Sequence, residues 1–209
     1  MASMFYPKPE LVGLTEDQWF ARKAMAGVPV PLVQLRIVGE DGSEGVWNNR
    51  DVGELQVRGP YITGSYHKVE RDPDKFSDDG WLRTGDVAAI DEHGYVRLSD
   101  RTKDLIKSGG EWISSVDLEN AIMAHPAVAE AAVIAVSHPK WAERPLACIV
   151  VKPGQSVSAE ELRAFLAPKF ARWQLPDAIE FIDAIPRTST GKFFKAKLRE
   201  RYAGWQWPA

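Results

Sequence analysis

The chain has 209 residues, 44% hydrophobic and 26% charged, a balance that excludes an intrinsically disordered polypeptide. A net charge of −3 supplies no basic excess for nucleic acid or an anionic membrane, and no apolar stretch approaches the roughly 18–20 residues that span a bilayer. The single cysteine, Cys148, sits in the apolar run 146–151, so it reads as a buried strand residue and not as half of an internal disulfide. One thiol and no recognisable secretory leader suit a cytoplasmic protein.

In chain order, Thr15 caps a helix expected to run through Met25 to Gly27. It carries Trp19 and Phe20 with few apolar partners nearby, as a segment from the middle of a larger fold does. From Pro29 the period becomes that of strands, at 33–38, 54–59, 81–84, 86–90 and 94–98, with turns at 39–42 and 91–94. This predicts a small antiparallel β-barrel-like subdomain, or a strongly bent sheet. Asp100, Arg101, Lys103 and Asp104 follow, a cluster too charged for the interior of a buried strand. Next come Leu105 and Ile106, then Lys107 and a turn at Ser108, Gly109 and Gly110, whose glycines admit positive φ or close backbone approach. Ser114 and Ser115 open a helix that stops before Pro126. Strands at 128–136, 146–151 and 179–182, a helix from Ser158 and a basic helix at 194–202 complete a compact α+β module. The α+β chain thus divides into residues 1–99, a hinge at 100–103, and residues 104–209.

Three stretches could carry chemistry. In Thr84-Gly85-Asp86 the glycine permits a tight turn, and the aspartate is either a hairpin residue or a carboxylate that accepts two hydrogen bonds from a ribose diol. Arg101 is either solvated beside acids or a planar donor fork facing an anion. The run Pro186-Arg187-Thr188-Ser189-Thr190-Gly191-Lys192 is not the phosphate-binding loop it suggests. No glycine lies five residues before Gly191, and Phe193 follows the lysine where a hydroxyl should stand. What remains is a hydroxyl-rich loop with one ammonium, either solvated or placed to meet a carboxylate and a phosphate together. His67, His93, His125 and His138 are scattered without ligand spacing, so no metal site is expected.

The run 100–119 has the form D-R-x-K-D-x-I-K-x-G-G-E-x-I-S-x-x-x-L-E, which resembles the hinge motif of the adenylate-forming acyl-CoA synthetases. G-W-L-x-T-G-D at 80–86, an aromatic-x-x-Pro at 173–176 and P-R-T-x-T-G-K at 186–192 resemble further motifs of that family, in its order. The resemblance implies that Asp86 and Arg101 bind the nucleotide and that Lys103 is the pivot of a mobile lid. It implies that Ser108, Gly109 and Gly110 line the CoA tunnel, with Trp112 either a wall of it or core packing. It makes Lys192 the catalytic lysine of adenylation. The implied activity is an ATP-dependent medium- or long-chain fatty-acid–CoA ligase, with ATP, CoA and ATP-borne Mg2+ as cofactors. The family's Ser/Thr/Gly-rich phosphate loop and its aromatic-Gly-x-Thr-Glu motif do not occur here. The chain is therefore expected to be the C-terminal part of such an enzyme, in need of an N-terminal adenylation domain. The alternative is a non-catalytic remnant that binds nucleotide or CoA or docks on a partner.

Overall fold

In the computed structural model, which describes every residue except 1, 2, 6, 69, 71, 208 and 209, the described residues form eleven strands and four α-helices. It divides into two compact units, residues 1–103 and 104–209.

The first unit opens with a short ribbon, β1 (Ser3–Met4) paired to β2 (Val28–Pro29), that flanks helix α1 (Glu16–Lys23). Thr15 and Gln18 form a reciprocal capping box at the α1 N-terminus, satisfying two amides that the helix leaves without partners. The helix ends at Lys23, short of the expected run through Met25 to Gly27. Its body is an antiparallel meander: β3 (Gln34–Val38), β4 (Gly53–Arg58), β5 (Leu82–Ile90) and β6 (Val96–Arg101), adjacent in that order. Alternate residues Leu35, Ile37, Leu55, Val57, Ala88 and Ile90 fill one face, as period-2 patterning requires. Among the described residues β3 and β6 do not pair, so the sheet is open where a closed barrel was one expectation.

Two further departures position the site. The strands expected at 81–84 and 86–90 are one strand, because Gly85 (φ +70°) carries the chain through a bulge without ending it. The charged cluster does not lie wholly outside regular structure. β6 runs through Asp100 and Arg101, and Asp100 is buried with its carboxylate accepting the Arg101 amide.

The second unit is a three-layer sandwich. Its sheet comprises β7 (Ile106–Ser108), β8 (Glu111–Ile113), β9 (Val128–His138), β10 (Ala142–Val151) and β11 (Ala178–Phe181). β10 pairs antiparallel with β9 and parallel with β11. Helices α2 (Ser115–Met123) and α3 (Ala159–Leu166) pack on one face over Ile106, Val133, Ala147 and Ile149. Helix α4 (Lys195–Arg201) covers Ile134, Leu146 and Cys148 on the other. A sheet covered on both sides needs apolar residues at every position, which is why 128–136 reads as a nearly unbroken apolar run. The β9 edge is blunted: the buried Glu119 carboxylate accepts the Val133 amide at 2.7 Å, and the Trp207 indole donates to the Ser137 carbonyl at 2.7 Å.

Candidate functional site

In the first unit the bulge at Gly85 turns Asp86 away from β4 and into register with Arg101 of β6. The Arg101 Nε lies 2.7 Å from the Asp86 carboxylate in an ion pair, while the Asp86 amide donates to the Thr84 hydroxyl, itself anchored on the Leu55 carbonyl. Arg101 is 59% exposed and Asp86 28%, so the pair faces solvent. The Asp86 carboxylate and the Arg101 guanidinium make no side-chain hydrogen bond to other described residues, which leaves an acceptor beside a donor fork. Lys103, the last residue of this unit, is exposed in the turn after β6.

In the second unit Gly109 (φ +61°) and Gly110 (φ +89°) are the two central residues of a β7–β8 hairpin in which Ser108 pairs with Glu111. Both left-handed conformations are what so tight a connection demands. A Cβ on Gly109 would stand 3.1 Å from the Trp141 ring, whereas one on Gly110 would meet nothing within 4 Å. The close approach at Gly109 is therefore made by the protein's own indole, and Gly110 is the open position. Trp141 is fixed there because its carbonyl accepts the Gly109 amide at 2.9 Å and its amide donates to the His138 Nδ1.

A cleft of about 670 Å³ opens at this turn, lined by Ser108, Gly109, Glu111, Trp141, Arg144, Arg172, Trp173 and Asp177. Its indoles Trp141 and Trp173 are each 42% exposed, a large aromatic area left uncovered. The arginines and Trp141 were not among the sequence candidates. Their signal lies in tertiary contact: the cleft gathers positions from three separate stretches. Trp112 is half-buried and is not among the lining residues.

The loop 186–192 forms its own tight hairpin. The Thr188 amide donates to the Lys192 carbonyl, the Gly191 amide to the Thr188 carbonyl, and the Lys192 amide to the Thr188 hydroxyl. Arg187 clamps it from below, donating to the Gly191 carbonyl at 2.6 Å, pairing with Glu130 and lying 4.7 Å over the Phe193 ring. The Lys192 ammonium is left without a partner among the described residues. This loop is held at Glu130, near the start of β9, while the glycine turn is held at Ala142, beside the end of β9 at His138. Eight residues of extended strand separate the two anchors, roughly 25 Å. The structure does not bring Lys192 and the glycine turn together.

Among the described residues no group of three or more His, Cys, Asp or Glu is placed to hold a metal ion, and no helix is long and apolar enough to cross a membrane.

Residues 117–192 match the family model of the AMP-binding enzyme C-terminal domain. The chain is 53% identical to a long-chain-fatty-acid–CoA ligase of Thermus thermophilus, over 94% of its own length and 37% of that protein's. It is 43% identical to a medium-chain-fatty-acid–CoA ligase of Ectopseudomonas oleovorans, over 94% and 36%. Among solved structures it is similar to the o-succinylbenzoate CoA synthetase of Bacillus subtilis in complex with its acyl-adenylate (TM-score 0.77, 32% identity, 89% of this chain and 37% of that one). The chain thus spans little more than a third of these relatives' length. Its residues 117–192 are an AMP-binding enzyme C-terminal domain, and the chain is similar to the C-terminal portion of acyl-CoA ligases.

Proposed function

We propose that the two units are the last subdomain of the adenylating body and the mobile lid of a fatty-acid–CoA ligase for medium- or long-chain acids. The observation that carries this is the separation of Lys192 from the glycine turn by the length of β9. A rigid lid with two chemical ends roughly 25 Å apart can present only one at a time to a fixed substrate, so two successive half-reactions with a rotation between them follow. In the first, the fatty carboxylate attacks the α-phosphorus of ATP and pyrophosphate leaves. Lys192 meets the carboxylate and α-phosphate oxygens and offsets the charge that develops between them. Asp86 accepts from the ribose hydroxyls while Arg101 donates to the adenylate, and Mg2+ enters with the triphosphate. In the second, the CoA thiolate attacks the acyl carbon and AMP leaves. The open side at Gly110 admits the pantetheine arm, and the indoles beside it offer flat faces to the adenine.

The test is carboxylate-dependent AMP release from ATP over a fatty-acid panel, with the chain assembled in its full-length enzyme and alone. Lys192→Ala should reduce adenylation by at least a hundredfold while sparing thioester formation from supplied acyl-adenylate, since the side chain makes no structural contact. Equal loss of both steps would contradict the two-ended lid.

A second reading rests on a separate observation. Helix α1 has no buried residue, and Phe20 is 60% exposed although Phe5 packs on Trp19. That surface fits a chain that docks on a further body, with AMP or CoA bound and not turned over. Saturable binding of both without AMP release in the assembled enzyme would favour it.

A further inference from the structure

Arg144 is the buried cation of the cleft, only 5% exposed, and its place in the lining suggests a group that grips an anionic ligand. Counting its donors argues otherwise. A guanidinium has five N–H groups, and each has a protein acceptor. Nε and Nη2 hold the Asp177 carboxylate at 2.6 and 2.7 Å. Nη1 donates to the Ser108 hydroxyl at 2.9 Å and the Trp173 carbonyl at 2.5 Å, and Nη2 reaches the Leu175 carbonyl at 3.2 Å. No donor remains for a ligand.

We infer that Arg144 is a positioning residue, a clasp that fixes the glycine turn (through Ser108) against the loop carrying Trp173, and so sets the width of the cleft. Those segments are more than 60 positions apart in sequence, and among the described residues Arg144 is the one side chain in the lining that bonds both. A buried fork is the right tool, because its planar geometry addresses several acceptors in fixed directions where a lysine's three donors cannot. Direct contact with a ligand phosphate falls instead to Arg172, exposed in the same lining, whose guanidinium makes no hydrogen bond or ion pair among the described residues.

The test compares Arg144→Lys and Asp177→Asn with the unaltered 209-residue chain. Amide hydrogen exchange at Gly109, Gln174, Leu175 and Asp177 is read against α2 and α3 as internal references. Exchange at the four amides is expected to quicken about tenfold or more in Arg144→Lys, and in Asp177→Asn at those of the Trp173 loop, with the helices unchanged. Unaltered exchange at these amides, or acceleration of the whole unit together in both variants, would overturn the inference. A second arm rests on the proposed function and measures binding of CoA and 3′-dephospho-CoA. Arg144→Lys should weaken both by the same factor, whereas Arg172→Met should weaken CoA more. Selective loss of CoA in Arg144→Lys would make that arginine a ligand contact and overturn the inference. If the unaltered chain binds neither probe, the CoA reading of the cleft fails, and the exchange result alone decides the clasp.

Discussion

Ala142 adopts φ +66°, a left-handed conformation that brings its Cβ against the following carbonyl oxygen at a cost of about 1–2 kcal/mol. It is held there from both sides, paired with His138 across β9 and with Ser108 across β7. The twist has a use, because the preceding Trp141 carbonyl must accept both the Gly109 and the Glu143 amides, which lays the indole over the glycine turn. Glycine adopts this conformation without strain, but it loses about 0.4–1 kcal/mol more through the entropy of the unfolded chain. Ala142→Gly is therefore expected to stabilise the second unit by about 0.5–1 kcal/mol, seen as a higher urea midpoint at unchanged m-value. A lower midpoint would mean that the methyl group contributes packing that outweighs the strain.

Between β10 and α4 the packing layer encloses two titratable groups. Burial pushes the Cys148 thiol up from 9.0 to about 12, and burial, reinforced by the charge of an ionised Cys148, raises Tyr202 from 10.0 to about 12. Below pH 9 both groups keep their protons folded or unfolded, so neither affects stability. Between pH 9 and about 12 the unfolded chain loses the thiol proton and the folded chain keeps it. The unfolded state then binds fewer protons, and stability falls as pH rises, by at most about 1.4 kcal/mol per pH unit for the thiol. Cys148→Ala should flatten this decline in urea unfolding followed at pH 8, 9.5 and 11, and parallel declines would show that the thiol is not what alkali acts on. At this scale the sequence was legible where a local rule decides. Thr15 and Ser158 announced the starts of α1 and α3, and the apolar run after Pro126 announced a strand. It was illegible where pairing decides. The segments around Ser108–Gly110 read as a bare turn because three-residue strands carry too few positions for a period. Gly85 read as a break because a bulge and a turn share the same residue. Arg144 could not be placed, since its partners Ser108, Trp173 and Asp177 are neighbours only in the folded unit.

For the molecule as a whole, the chemistry proposed for it depends on how the second unit turns. Lys103 is the proposed pivot. It closes the first unit in an exposed turn, while the preceding Thr102 amide is tied to the Gly85 carbonyl at 2.9 Å, next to Asp86. A pivot there can change its backbone torsions with its ammonium remaining in water, and the bulge that holds Asp86 lies one hydrogen bond away. Proline at 103 fixes φ near −65°, removes the amide proton and biases Thr102 toward extended backbone. It should therefore select one lid position without disturbing the core of either unit. In the full-length enzyme, Lys103→Pro is expected to leave one half-reaction near its normal rate and slow the other tenfold or more, with adenylation followed by pyrophosphate release and thioester formation by AMP release from supplied acyl-adenylate. Unchanged rates in both steps would place the pivot elsewhere. A matched fall in both with a lowered unfolding temperature would instead mean that residue 103 holds the β6–β7 connection together, and that the turn of the lid is taken up at some other bond.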